Sequence, residues 1–381
     1  MNIELPISKS IANRLLILQA IHGDELMPVS DTFPDDVQIL HRALTIFTTH
    51  SSHCERPIGG RPSDNRIAEV DLGNCGTAMR FLTAYCAQLE GQTTILEGVE
   101  RMYQRPIGQL VDALRELGAE IEYLGTEGYP PLRITGCALD KHRIVKIDNP
   151  LSTQFVSALL LIGANVQTNS SSPYIDITRE IIAQYLQRTT RAIYSGCNKR
   201  TIAKRSTELM ERDWSSAAFW YEYIALHGGE IKLPGLYMDS LQGDKVVAEV
   251  FAKLGVQTQY TREGVTIFST GVADLQGIVA RSTAQRSVVE ILHQDFSACP
   301  DLYPAVALTC EKLGVQLEAT GVESLPLKES DRLRAVREHL TEHDHRMAMA
   351  LLVAGYEVDD TECIKKSYPA FMEQWQQIQG S

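Results

Sequence analysis

One phrase recurs along this chain and restricts what it can become. A helix-patterned stretch closes on Leu-Gly-Ala or Leu-Gly-Val, and alternating, strand-like residues follow at once. The copies are Leu117-Gly118-Ala119 before Glu120–Tyr123, Leu254-Gly255-Val256 before Gln257–Tyr260, and Leu313-Gly314-Val315 before Gln316–Glu318. Glycine suits the left-handed end of a helix, and past it the apolar period changes from 3.6 to two. The helix ahead of the first copy shows the pattern well. Ile107, Leu110, Val111, Leu114 and Leu117 share a face, with Pro106 in the first turn, where a missing N–H is harmless. Helix, glycine stop and strand in both halves imply an α/β protein built from internal repeats.

With 381 residues, the chain has room for two or three such domains. The basic segment Thr189–Arg212 is poor in large apolar residues and gives way to the aromatic, helix-like run Trp214–Tyr223, so a domain crossing is expected near Arg212. The stretch His50–Asn65, rich in Ser, Pro, Gly and charge, reads as an exposed loop. Eight cysteines without a C-x-x-C pair fit reduced thiols. The apolar stretch Leu15–Leu18 is too short for a signal peptide, and the longest apolar runs, 155–166 and 347–358, fall short of a membrane span. A soluble, cytoplasmic protein is the expectation.

Charge narrows the function. A net charge of -12 argues against a nucleic-acid or acidic-membrane binder, whose affinity needs a broad basic face. It leaves room for a small basic pocket, and the basic residues are placed oddly enough to suggest one. Lys9 opens one helical stretch with Ser10, and Arg14 lies a turn on. Arg80 follows the small-residue turn Gly73–Thr77, Arg105 precedes Pro106, and Lys328 and Arg332 flank Glu329-Ser330-Asp331. Arg346 follows His343-Asp344-His345, and Lys366 precedes Ser367-Tyr368-Pro369 and the last helix. A helix N-terminus already carries about half a positive charge, so a cation there is disfavoured by roughly 0.3–1 kcal/mol unless an anion sits alongside. For any one residue, a solvated or locally paired charge is the simpler reading, and Asp331 and Asp344 could neutralise their neighbours. The set as a whole points to helix ends that gather around a polyanionic ligand.

Six separated segments together resemble the 5-enolpyruvylshikimate-3-phosphate synthase family of enolpyruvyl transferases. Leu5–Arg14 resembles the N-terminal P-G-S-K-S-x-x-x-R, Leu72–Arg80 resembles L-G-N-A-G-T-A-M-R, and Arg105-Pro106-Ile107 matches R-P-I. Ser152–Phe155 and Pro173–Thr178 are similar to the S-S-Q-F and P-Y-I-D-I-T strands. Lys328–Leu333 fits K-E-[ST]-D-R-L, and Asp344–Met349 fits D-H-R-M-A-M. The resemblance implies two similar domains of repeated βαβαββ units, an inside-out α/β barrel with its active site in the interdomain cleft. Residues 8–212 would form the N-terminal domain, on the shikimate 3-phosphate side. Residues 1–7 and 213–381 would form the C-terminal domain, which carries phosphoenolpyruvate-side cations and the acid/base residues. The implied reaction moves the enolpyruvyl group of phosphoenolpyruvate to the 5-hydroxyl of shikimate 3-phosphate and releases phosphate, with no cofactor and no metal.

Residue by residue, the resemblance assigns shikimate 3-phosphate to Lys9, Ser10, Arg14, Ser152, Thr153, Gln154, Ser171, Tyr174, Asp301 and Lys328, with Thr153 where the family has Ser. It assigns phosphoenolpyruvate to Lys9, Gly76, Arg105, Gln154, Arg332, Arg346 and Lys366. Asp301 is the implied base at the hydroxyl, Glu329 the acid/base at the methylene carbon, and Lys9 stands between both substrates as a third catalytic group. These residue types suit the chemistry: two phosphates and a carboxylate call for Arg forks and close backbone N–H groups. Gly76 lets the backbone approach phosphoenolpyruvate and implies inhibition by glyphosate.

The chain departs from the family pattern at Ile7 (for Gly), Cys75 (for Ala), Phe81 (for Pro), Ser324 and Pro326 (for Asn and Arg), and has an extra charge at Lys365. None of these removes an implied catalytic group. The sister transferase acting on UDP-N-acetylglucosamine would carry an N-terminal Lys-Asn, whereas Lys9 is followed by Ser10. A non-catalytic anion-binding relative is the other alternative. A zinc site at His50, His53 and Cys54 with His343 or His345 lacks a paired second half, so solvated histidines are expected there. Small-molecule substrates only, no nucleic acid, no membrane and a monomer complete the expectation.

Overall fold

Each leucine–glycine phrase ends a helix and starts a strand. Gly118, Gly255 and Gly314 all have positive φ, at 99°, 88° and 70°. At Gly314 the left-handed cap lets its N–H reach back to the carbonyls of Cys310 and Glu311, closing the helix Tyr303–Leu313 ahead of the strand Gln316–Thr320. A computed structural model describes residues 1–51, 67–194, 209–269 and 291–380. The chain separates into two compact units: Lys9–Ser30 with Asp36–Met210, and Met1–Ser8 with Asp31–Asp35 and Glu211–Ser381.

The N-terminal unit begins with α1 (Lys9–His22) and α2 (Asp35–Ser51, whose first residue belongs to the other unit). A complete βαβαββ unit follows: β1 (Ile67–Asp71), α3 (Gly76–Ala87), β2 (Thr93–Glu97), α4 (Gly108–Glu116), β3 (Glu120–Tyr123) and β4 (Leu132–Thr135). Its sheet order is β1-β2-β4-β3, parallel at β1–β2 and antiparallel elsewhere. Ile121 faces Ile134 across β3–β4, and both are buried, while Glu120 and Glu122 alternate outward. A second unit starts with β5 (Ile144–Lys146), α5 (Thr153–Leu161), β6 (Asn165–Gln167) and α6 (Pro173–Tyr194), β5 and β6 pairing in parallel.

Two expectations change here. Ser152–Phe155 and Pro173–Thr178, expected as strands by resemblance, begin helices. Ser152 is the N-cap of α5, its hydroxyl accepting from the Gln154 N–H at 3.4 Å. Pro173 opens α6, where its fixed φ fits a first helical residue. The local β-branched residues are outweighed by these start signals. The expected loop His50–Asn65 is helical through Ser51, since α2 runs further than its composition suggested; residues 52–66 lie outside the described residues.

The C-terminal unit holds α7 (Trp214–His227), β7 (Glu230–Pro234), α8 (Val247–Ala252), β8 (Val256–Tyr260) and β9 (Gly264–Ser269). After these come β10 (Ile291–Asp295), α9 (Tyr303–Leu313), β11 (Gln316–Thr320), α10 (Arg332–Glu338), α11 (His345–Val353) and α12 (Phe371–Gln379). Its sheet order, β7-β9-β8, repeats the end of the first sheet. The missing first strand comes from the start of the chain: Asn2 bridges Lys232 in parallel, and the Ile3 N–H donates to the Lys232 carbonyl at 2.9 Å. With that bridging segment in the place of a first strand, the three-stranded sheet follows the order of the four-stranded one.

Ile231–Ile267 and Leu233–Val265 fill the inner face of β7–β9 and pack on α7, which is apolar nearly all round, so that Trp214, Phe219 and Trp220 are fully enclosed. Each such side chain contributes about 1.5–3 kcal/mol by leaving water. Within this unit the segment that ends at Ser8 pairs with the one that begins at Glu211. Ile7 bridges Arg212 in antiparallel fashion, and the Asp213 N–H donates to the Pro6 carbonyl at 3.0 Å. Ile7 thus takes part in backbone pairing that needs no glycine.

Candidate active site

In the N-terminal unit, several of the site residues expected from the sequence sit at helix starts. Lys9 is the first residue of α1, and its Nζ pairs at 2.9 Å with Asp36 in the first turn of α2. Arg14, one turn further, is enclosed. Its Nη1 donates to the Ser10 carbonyl at 2.6 Å, Nε to the Thr178 hydroxyl at 2.7 Å, and Nη2 to the Tyr174 carbonyl at 3.0 Å and the Ser157 hydroxyl at 3.3 Å. Phe81, the departure after Arg80, packs its ring 5.5 Å from that guanidinium. Among the described residues no carboxylate pairs with Arg14, and burial pushes its pKa down to about 10. It remains charged at neutral pH, so the unit holds a buried cation solvated by neutral dipoles.

Gln154, at the start of α5, accepts from Arg80 Nη1 at 2.7 Å and donates to the Thr77 hydroxyl at 2.8 Å, tying two helix starts together. Thr153 is half-buried beside it, and Ser171 is exposed ahead of α6. Arg105, 5% exposed, donates to the Asn74 carbonyl at 3.1 Å and to its side-chain oxygen at 3.2 Å. That places the guanidinium against Gly76: a Cβ there would stand 2.5 Å from Arg105 Nη2. A side chain at 76 would therefore push the Arg105 guanidinium aside.

In the C-terminal unit the cations meet carboxylates. Asp301 accepts from Arg332 Nη1 at 2.7 Å, from Arg346 Nη2 at 2.9 Å and from Lys328 Nζ at 3.4 Å. Glu329 lies between Arg332 Nη2 at 3.2 Å and Lys366 Nζ at 3.1 Å. Asp344, the N-cap of α11, accepts from the Arg346 N–H at 2.9 Å and from Arg332 Nε at 2.8 Å, and Ser330 donates to it at 3.1 Å. Burial alone would lower the Arg332 pKa, but Asp344, Asp301 and Glu329 outweigh it and hold the guanidinium above its ordinary value. Burial pushes the Lys328 ammonium down, with Asp301 opposing.

The structure thus brings Asp301, Lys328, Glu329, Arg332, Arg346 and Lys366 into one network. It also gathers Ser10, Arg14 and Tyr174, and Gly76 with Arg105. Arg332 and Arg346 fall in the first turns of α10 and α11, whereas Lys366 ends the short turn Glu362–Lys366 and does not open a helix. Sequence reasoning missed Asp36 and Asp344 as partners of Lys9 and Arg332. Asp344 neutralises a neighbour, but the one whose side chain it holds lies twelve residues back. His343 is exposed against Asp360, and no group of metal-ligand types gathers among the described residues; His53 and Cys54 lie outside them. No helix among the described residues is long and apolar enough to cross a membrane.

Two solved structures of EPSP synthase from Acinetobacter baumannii share this fold. The first superposes with a TM-score of 0.60 at 18% identity, covering 99% of this chain and 95% of that one. The second gives 0.59 with the same coverage. The fold is therefore that of EPSP synthase, built from repeated βαβαββ units. At the level of sequence, the family model described as EPSP synthase (3-phosphoshikimate 1-carboxyvinyltransferase) matches residues 1–342 and 338–375. A 3-phosphoshikimate 1-carboxyvinyltransferase of Bacteroides fragilis is 34% identical over 421 residues, covering 97% of this chain and 93% of the relative. One of Colwellia psychrerythraea is 30% identical over 432 residues, with 98% and 96% covered. The chain belongs to the EPSP synthase family.

Proposed function

We propose that this chain transfers the enolpyruvyl group of phosphoenolpyruvate to the 5-hydroxyl of shikimate 3-phosphate. The observation that carries the reading is the similarity, along nearly the whole chain, to curated relatives named for that reaction. It is supported by an acid/base pair, Asp301 and Glu329, held among lysines and arginines.

The N-terminal unit contributes Lys9, Ser10, Ser152, Thr153, Gln154, Ser171 and Tyr174 to shikimate 3-phosphate, with Arg14 supplying enclosed positive charge behind them. It contributes Lys9, Gly76, Arg105 and Gln154 to phosphoenolpyruvate. The C-terminal unit contributes Lys328 and Asp301 to the shikimate hydroxyl side, and Arg332, Arg346 and Lys366 to phosphoenolpyruvate. Asp301 takes the hydroxyl proton as the oxygen bonds to the central carbon of phosphoenolpyruvate. Glu329 gives a proton to the methylene carbon, making a methyl group and a tetrahedral intermediate. In the second half Glu329 takes that proton back, the double bond re-forms, and phosphate leaves with its electron pair. Each general acid or base is worth typically 10²–10⁴-fold.

Phosphate release measured with both substrates tests the reading. Release that depends on phosphoenolpyruvate and shikimate 3-phosphate together is the expected result. No release, or release indifferent to shikimate 3-phosphate, overturns it.

A further inference from the structure

Asp244 lies in the short turn Gly243–Val246 between β7 and α8 and is 3% exposed. Its Oδ2 accepts from the Ser215 hydroxyl near the start of α7, while its Oδ1 is buried without a hydrogen-bond partner. Arg346 has the complementary deficit: Nη2 holds Asp301 at 2.9 Å, and Nη1 is buried with no acceptor. Leaving a buried charged group half-paired is costly, and native proteins rarely keep such atoms; the two groups here lie within reach of each other's charge.

The surroundings of Asp244 are specific. Asp213 at the α7 N-cap and Asp301 repel its negative charge, Arg346 attracts it, Ser215 donates to it, and the buried thiol of Cys299 feels its field. From α8, packed against the same turn, Val247, Ala248 and Val250 point inward and Glu249 stays in solvent. Burial, and then Asp301, push the Asp244 carboxyl up to about 7, with Arg346 opposing.

We propose that Asp244 is a positioning residue for the transfer, supplying the counter-charge to Arg346 when Asp301 turns from that arginine to the substrate hydroxyl. The inference rests on the function proposed above. Taking the hydroxyl proton makes Asp301 neutral, and Arg346 then loses the carboxylate it is paired with, leaving the fields of Asp213 and Asp244 to hold it in a buried place. Ionised Asp244 restores the balance, with its free Oδ1 offered to the free Nη1. Arg346 so stays in place for phosphoenolpyruvate throughout the proton transfer. Protonated Asp244 cannot do this, so turnover falls as acid protonates it.

The test is the pH profile of kcat, from phosphate release at saturating levels of both substrates. Wild type is expected to lose kcat on acidification through a midpoint of about 7. Asp244→Asn keeps the shape and removes the charge. Its kcat at pH 8 is expected to fall about 10–100-fold, the scale of a misplaced catalytic group, with that acid limb gone. Ser215→Ala removes the hydroxyl whose hydrogen bond lowers the Asp244 pKa, so its acid limb moves to higher pH. This variant carries the test alone should Asp244→Asn not fold. A wild type with no limb near neutrality, an Asp244→Asn enzyme with wild-type kcat and profile, or an unmoved limb in Ser215→Ala overturns the inference. A wild type that releases no phosphate instead overturns the reading of function on which it rests.

Discussion

Arg14 and Arg332 are equally hidden, at 2% and 1% exposure, yet their surroundings are opposite. Arg14 is held by hydroxyls and carbonyls, Arg332 by three carboxylates. Burial lowers the pKa of Arg14, whereas at Arg332 the carboxylates reverse the effect of burial. One unit keeps in its interior an arginine held, among the described residues, by neutral groups alone; the other surrounds its buried arginine with carboxylates. Holding a phosphate needs the first arrangement, and moving protons needs the second.

The largest effects should come from the cancelled side. Glu329→Gln is expected to lower kcat by about 10²–10⁴ while shikimate 3-phosphate still binds by calorimetry. Wild-type turnover in this variant would end the acid/base assignment. Asp301→Ala is expected to lose turnover as well, but it also releases Arg332 and Arg346, so Asp301→Asn is the cleaner variant.

Stability should separate the two arginines directly. Asp344→Ala strips a carboxylate from buried Arg332 and is expected to destabilise by about 3–5 kcal/mol in denaturant unfolding. Thr178→Ala removes only a neutral acceptor from Arg14 and should cost about 1 kcal/mol. Similar losses in both variants would erase the contrast.

A smaller effect is expected at Gly76. The Cβ of Gly76→Ala displaces the Arg105 guanidinium, and KM for phosphoenolpyruvate should rise about tenfold, or about 1.4 kcal/mol, with glyphosate inhibition weakened in parallel. An unchanged KM would show that Arg105 does not touch that substrate.

The last effect concerns a group outside both sets. Glu222 on α7 is fully buried, neither of its oxygens has a partner among the described residues, and burial raises its pKa well above the ordinary value. A carboxyl whose pKa is raised on folding favours the native state at low pH. That contribution fades as pH climbs from the unfolded toward the folded value. Glu222→Met should therefore stabilise by about 1–3 kcal/mol at pH 8 and by less at pH 5, read from unfolding curves. An equal gain at both pH values would refute the ionisation argument.

Local signals were the legible part of this fold. The Leu-Gly phrases announced β3, β8 and β11, because a helix stop and a change of period are written in adjacent residues. Lys9, Arg332 and Arg346 could be placed in first helical turns for the same reason. The segments at Ser152 and Pro173 show the hazard of trusting resemblance over local chemistry, since a capping serine and a leading proline both spelled helix. What stayed hidden was distant pairing. Thr178 lies 164 residues from Arg14, and Asp301 lies 31 before Arg332. Nothing near an arginine in the chain says whether its partner will be a hydroxyl or a carboxylate. Asp244 gave only a polar Gln-Gly-Asp turn, and its meaning comes from Arg346 a hundred residues on.

The pairing of Asn2 with Lys232 has a consequence for how the molecule is made. Asn2 and Ile3 are joined to a sheet whose strands lie more than two hundred residues further along the chain, at Glu230 and beyond. Ile3 and Leu5, both wholly buried in the folded protein, gain their cover only once the core of that unit forms. Closing that edge is a long-range event in folding, so substitutions that weaken the Asn2–Lys232 pairing should slow refolding more than equally disruptive ones within β8–β9.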